Sequence, residues 1–184
     1  MTRAELEHAI RAACEVSGDT EVYVFGSQAI LGQYADAPES LRQSAEADIA
    51  PVTAVDMVDV IDANLGELSP FHRAFGFYVH GVPIEAAVLP AGWQRRTIAV
   101  RGANTRDATG WCLEAHDLAA SKLVAFREKD RDFVRTLIVE ELIAPRRLLT
   151  RLNQLPDNER VPSALRNRLL EWVRGTVRDL GRGA

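Results

Sequence analysis

No stretch of this 184-residue chain approaches the apolar run of roughly 20 residues that a membrane-spanning helix needs. No repeat or low-complexity tract interrupts it either. The opening Thr2-Arg3-Ala4-Glu5-Leu6-Glu7 is too acidic and too polar for a signal peptide. Cysteine is scarce: Cys14 and Cys112 are far apart and lack a partner pattern, which argues against a disulfide framework. They read as two buried thiols in a cytoplasmic protein without membrane attachment. His8, His72, His80 and His116 show no ligand spacing with one another or with the cysteines. What remains, 47% apolar and 26% charged residues, describes an ordinary globular chain with one good core or two small ones.

Charge is unevenly spread. Residues 1–112 carry 8 Lys/Arg against 15 Asp/Glu, a net of −7, whereas residues 113–184 carry 14 against 11, a net of +3. A basic half beside an acidic half suits a polyanion on one side and a metal on the other, though an arginine-rich solvated helix surface gives the same count.

The most informative stretch runs from Val22 to Pro51. Val22-Tyr23-Val24-Phe25 is an apolar, β-branched and aromatic run that stops at Gly26-Ser27, which reads as a buried strand turning sharply. Gly26 lets backbone approach a ligand closely. Gln28 to Leu31 can open a helix, whose N-terminal amides and dipole suit a phosphate. Glu46 and Asp48 lie two apart on a second expected strand, so both carboxylates leave one face while Ala47 and Ile49 enter the core. Two adjacent carboxylates repel unless a cation lies between them. Oxygen ligands with no thiol or imidazole set nearby suit Mg2+ or Mn2+, bound weakly without nucleotide.

Strand, Gly-Ser, helix, then acid-x-acid on the next strand resembles the nucleotidyltransferase superfold typified by DNA polymerase beta. Downstream, Leu113-Glu114-Ala115-His116-Asp117-Leu118-Ala119-Ala120-Ser121-Lys122-Leu123 and Arg127-Glu128-Lys129-Asp130 are similar to the helix signature of its AbiEii-like branch, which includes abortive-infection and toxin–antitoxin toxins. The likeness covers roughly Val22 to Phe133. The 18 residues between Ser27 and Glu46 exceed the usual gap and predict a loop or short helix there.

Elsewhere the pattern predicts a helix over Thr2–Val16 with a Thr2/Glu5 capping box, and another from Thr53 to Gly66 whose Asp56, Asp59 and Asp62 form a solvated face. Phe75–Leu89 reads as a hairpin turning at Gly81-Val82-Pro83, and Thr97–Val100 as a strand. Gly102–Gly110 reads as a loop. A helix from about Ala115 to Lys129 follows, then three more over Phe133–Ile143, Arg146–Leu155 and Pro162–Leu180.

Glu85, an acid inside an apolar strand, either pairs with Arg95 or Arg96 or supplies the third acid that the resemblance implies, helping metal binding and accepting the hydroxyl proton. His80 reads as a hydrogen-bonded strand histidine rather than a base. Lys122, among small neighbours, either snorkels or balances nucleotide charge. Asp130, two turns along the same helix, resembles the acid that follows the family lysine, with Asp132 a competitor.

These observations predict an α/β, nucleotidyltransferase-type mixed sheet with flanking helices over residues 1–110. A helical bundle over residues 111–184 would complete the active-site groove. Glu46 and Asp48 would hold Mg2+ or Mn2+, and Gly26 and Ser27, with Lys122, would bind the nucleoside triphosphate. The catalytic set would be Glu46, Asp48, Glu85, Lys122 and Asp130. The resemblance implies an RNA 3′ end, tRNA included, as acceptor and a cognate antitoxin as partner. Two further readings stay open: transfer to a protein hydroxyl, and a catalytically silent nucleotide-binding or interaction module. The second is favoured by glutamate in first position, which displaces a ligand oxygen by about 1.5 Å.

Overall fold

The computed structural model describes residues 1–181 and divides into two compact units, one of residues 1–86 and 96–114, the other of residues 87–95 and 115 onward.

The first unit is built on a five-stranded mixed sheet. Helix α1 (Arg3–Ser17) starts on the expected capping box, with Glu5 N–H donating to Thr2 Oγ1 at 3.2 Å and Thr2 N–H donating to Glu5 Oε2 at 2.6 Å. Gly18 ends it in the left-handed region. Strand β1 (Glu21–Phe25) leads through a 3-10 turn, Ser27–Ala29, into the single turn of α2 (Ile30–Gln33). The long gap that follows holds one 3-10 turn, Glu39–Leu41, with Leu41 buried. Strand β2 (Glu46–Pro51) precedes a 3-10 turn (Val55–Met57) and α3 (Val58–Leu65); Asp56 on the turn and Asp59 and Asp62 on the helix are exposed, as expected.

Helix α4 (Pro70–Phe75) has no counterpart among the sequence expectations, although Ser69 caps it by accepting from His72 N–H and Pro70 sits at its first turn. Strands β3 (Tyr78–Gly81), β4 (Ile98–Val100) and β5 (Thr109–Cys112) complete the sheet in the order β3-β2-β1-β5-β4. Strand β1 runs antiparallel to β2 and parallel to β5, and β2 runs parallel to β3.

Two expectations fall here. The Phe75–Leu89 hairpin does not form: β3 pairs in parallel with β2, and Ile84–Ala86 is a 3-10 turn. The expected 102–110 loop instead ends in β5, an interior strand whose Gly110 makes room for α1. A Cβ there would meet Ile10 Cδ1 at 2.4 Å.

Period-two alternation sorts the faces. Val22, Val24, Ala47, Ile49 and Val79 are fully buried on the face covered by α1 and α3, where Leu6, Ile10 and Ile61 are equally buried. Glu46, Asp48, Tyr78 and His80 therefore leave the opposite face.

The second unit is helical: α5 (Ala115–Ala125), α6 (Glu128–Val139), α7 (Pro145–Asn153) and α8 (Ser163–Asp179). Helix α5 is buried nearly all round, its Asp117 0% exposed and 3.0 Å from Arg151 Nε, off-line for a directed hydrogen bond and so an ion pair. His116 Nε2 accepts from Ala144 N–H at 2.9 Å. Phe126 takes φ +52 and breaks the expected Ala115–Lys129 helix in two. Its ring is covered by Arg131 and Arg168, 5.0 and 4.2 Å from the centroid.

Candidate active site

The site is assembled by strand register. Parallel pairing of β2 with β3 sets Glu46 opposite Tyr78 and Asp48 opposite His80, and partners in such a pair share a face. Tyr78 donates to Glu46 Oε2 at 2.8 Å, and His80 Nδ1 lies 3.1 Å from Asp48 Oδ1. Burial, then the hydrogen bond to Glu46 and its charge, pushes the Tyr78 phenol above its ordinary range, so it remains a donor. Glu46 thus has a donor beside it, and Asp48 has an imidazole nitrogen whose role follows the ring's tautomer.

Antiparallel pairing of β1 with β2 places Phe25 opposite Asp48, so Gly26 follows at the carboxylate. Gly26 has φ +68, and a Cβ on it would lie 1.8 Å from Asp48 Oδ2. The absent side chain is what lets Asp48 rest against this turn. The Gly-Ser and acid-x-acid segments, distant in sequence, meet here.

The phosphate-cradle expectation needs correction. Ser27 begins a 3-10 turn running into a four-residue helix, too short to build a macrodipole. Any cradle rests on the backbone around Gly26, whose Cβ side Asp48 already fills, and on the Ser27 hydroxyl. One residue on, Gln28 is 0% exposed, and neither of its amide atoms has a hydrogen-bond partner.

One ligand atom from each of Glu46, Asp48 and His80 lies within 4.8 Å of the others, and this is the one such group among the described residues. Two oxygens and one imidazole nitrogen fit a divalent cation. The expectation of an oxygen-only pair without nearby imidazole is overturned, because β3 brings His80 to Asp48. His80 escapes a reading of ligand spacing along the chain. The residue shares β3 with Tyr78, two positions earlier, but only the inter-strand register reveals the set.

Glu85 is not on a strand. It lies exposed on the 3-10 turn beyond β3, outside this group, because the chain leaves the sheet at Gly81 instead of turning back along it.

In the helical unit, Lys122 and Asp130 are not two turns apart on one helix. The break at Phe126 folds α6 back so that Lys122 Nζ is 3.7 Å from Asp130 Oδ1 and 4.8 Å from the Phe133 ring centre. Asp130 is 1% exposed and also accepts from Arg127 Nε at 2.7 Å, whereas Asp132 is exposed. The acid that answers Lys122 is therefore Asp130. Of Lys122's small neighbours, Ala119 and Ala120 are fully buried, whereas Ser121 is part-exposed.

A mixed sheet with Gly-Ser at the end of one strand against acid-x-acid on its antiparallel neighbour defines an α/β protein of the nucleotidyltransferase type. Residues 4–168 match the family described as a nucleotidyltransferase of unknown function (DUF6036), and the chain belongs to that family. No curated protein and no solved structure matches the chain.

Proposed function

We propose that the protein transfers a nucleoside monophosphate from a nucleoside triphosphate to a hydroxyl acceptor, with pyrophosphate leaving. The observation that carries this reading is the seat of Asp48 against Gly26, with Glu46 on the same face, in a chain of a nucleotidyltransferase family. Glu46 and Asp48 would hold a divalent cation, Mg2+ or Mn2+, whose charge would offset that of the triphosphate. Tyr78 fixes the rotamer of Glu46, compensating for the longer side chain in the first position. Gly26 admits the phosphates to the backbone, and Ser27 offers a hydroxyl to them.

Lys122 keeps the charge-balancing role that the resemblance implies, and Asp130 positions its ammonium. Glu85, exposed and off the sheet, receives no role. The acceptor proposed is an RNA 3′ end, tRNA included, which the basic helical half favours. With it comes the role of a toxin held in check by a partner antitoxin.

Labelled nucleoside triphosphates incubated with total RNA, with and without Mg2+ or Mn2+, test the reading. Metal-dependent label on RNA is expected. Label on protein would move the acceptor to a protein hydroxyl, and no label with any nucleotide would leave a silent binding module.

A further inference from the structure

On the reading of the site just given, we infer that His80 is its third metal ligand and that the site therefore takes a first-row divalent cation such as Mn2+ in preference to Mg2+. Spacing is the first ground. Donors that sit cis on one six-coordinate ion, with bonds of about 2.1 Å, are about 3 Å apart. Nδ1 of His80 and Oδ1 of Asp48 are 3.1 Å apart, a hydrogen-bond separation that also matches such an edge. A Glu46 carboxylate oxygen falls within the same 4.8 Å group, on the face it shares with Asp48.

Access is open, because the His80 side chain is 45% exposed and that of Asp48 is 21% exposed. The backbone holds the set: Gly26 seats Asp48 from one side, and the β2–β3 register sets His80 beside it. Coordination through Nδ1 uses the tautomer with its proton on Nε2.

Donor chemistry then decides the ion. Mg2+ favours oxygen and gives up water reluctantly, whereas an imidazole nitrogen raises affinity along the first-row series beginning with Mn2+. An oxygen-only pair discriminates weakly between the two, and one nitrogen tips the balance. With His80 in the set, zinc too suits the site, since imidazole is one of its ordinary ligands.

The test reads binding by the nucleotide-free full chain. Mn2+ is titrated by electron paramagnetic resonance, pulsed measurements look for 14N coupling to the bound ion, and Mg2+ is added as competitor. We expect nitrogen-coupled Mn2+ in the wild type and a preference over Mg2+ of about tenfold or more. His80→Asp should abolish the nitrogen coupling and shrink that preference, and Asp48→Asn should weaken Mn2+ binding itself. Mn2+ that depends on Asp48 but shows no nitrogen coupling would overturn this inference and leave the proposed function standing, with His80 only a hydrogen-bond partner. Absence of Mn2+ binding, or binding that Asp48→Asn does not weaken, would overturn the metal site altogether. The nitrogen signal is read on the wild type, so the test of His80 as a ligand does not require a variant to fold.

Discussion

The two units treat their acids differently. In the helical unit, Asp117 and Asp130 are 0% and 1% exposed, and each meets a full positive charge, Arg151 for the first and Arg127 with Lys122 for the second. In the sheet unit, Glu46 and Asp48 are only half-buried and meet a phenol and an imidazole. Neutralising an acid with a guanidinium in a dry interior, as Arg151 does Asp117, commits it to the fold, since the pair cannot be broken cheaply, whereas Asp130 also holds the Lys122 ammonium in place. A weaker donor leaves a carboxylate able to exchange that partner for a ligand. Asp19, also in the sheet unit, follows a third course. Buried to 8% exposure, it accepts from Thr53 N–H, Thr53 Oγ1, Ala54 N–H and Glu21 N–H and so joins the loop before β1 to the one after β2. Exposure alone therefore does not separate site acids from structural ones; partner chemistry does.

That contrast is put at greatest risk by Asp48→Asn. Asparagine keeps an acceptor for His80 and removes one charge from the pair. Nucleotidyl transfer should fall by orders of magnitude, while stability stays within about 1 kcal/mol. Gly26→Ala should lose transfer similarly, because the new Cβ would need the space of Asp48 Oδ2. Melting curves beside transfer assays decide it. A large stability loss with near-normal transfer would make Asp48 a structural acid and erase the difference between the units. The opposite pattern is expected of Asp117→Asn, which leaves Arg151 charged in a dry interior and should cost about 3–5 kcal/mol. Denaturant unfolding measures it, and a cost below about 1 kcal/mol would mean that the buried acids of the helical unit are not committed to its fold.

Asp19 gives a smaller effect with a definite sign. Burial alone would raise its carboxyl, but the hydrogen bonds from Thr53, Ala54 and Glu21 outweigh it and hold the pKa at about 2, below the ordinary 3.8. A depressed folded pKa contributes stability that is fully present above the unfolded value and is lost as pH falls through the folded one. Between about pH 5 and pH 2 the wild type should lose about 2 kcal/mol from this group. Asp19→Asn should lack that part of the acid sensitivity. Unfolding free energies at both pH values check it; identical acid sensitivity in both proteins would show that the loop contacts contribute nothing.

Much of this was legible from sequence because it is local. The Thr2/Glu5 box starts α1, alternation around Ala47 and Ile49 turns Glu46 and Asp48 to one face, and the apolar run ending at Gly26 forms β1. The misses share a cause, which is that distant partners impose the conformation. Thr109–Cys112 carries no strand alternation, and its Gly110 answers to Ile10, about 100 residues away. Phe126 has no intrinsic reason to adopt the left-handed region; Arg131 and Arg168 stack on the ring that holds the turn there. Glu85 resembles a buried strand acid only while a hairpin is assumed. His80 lacks ligand spacing because its co-ligands lie on another strand, and parallel register leaves no trace in one segment's periodicity.

Gln28 is the residue whose side of the comparison is still to be fixed, and it carries the smallest expected effect. Its amide is fully buried one position past Ser27, and neither Oε1 nor Nε2 has a hydrogen-bond partner. A buried polar group left unsatisfied costs about 1–3 kcal/mol, and methionine fills nearly the same volume without the cost. Gln28→Met should therefore stabilise the chain by about 1 kcal/mol, a rise of roughly 2–4 °C in melting temperature for a protein of this size. The alternative is a water held inside the fold, bonded to the amide and to the turn that carries Ser27. Removing the amide would then strand that water, and the melting temperature would fall. A fall would place Gln28 with Tyr78 and His80, among the groups that hold the site in shape. A rise would leave it a polar residue that packing tolerates, and the turn at Gly26 and Ser27 would owe its form to backbone alone.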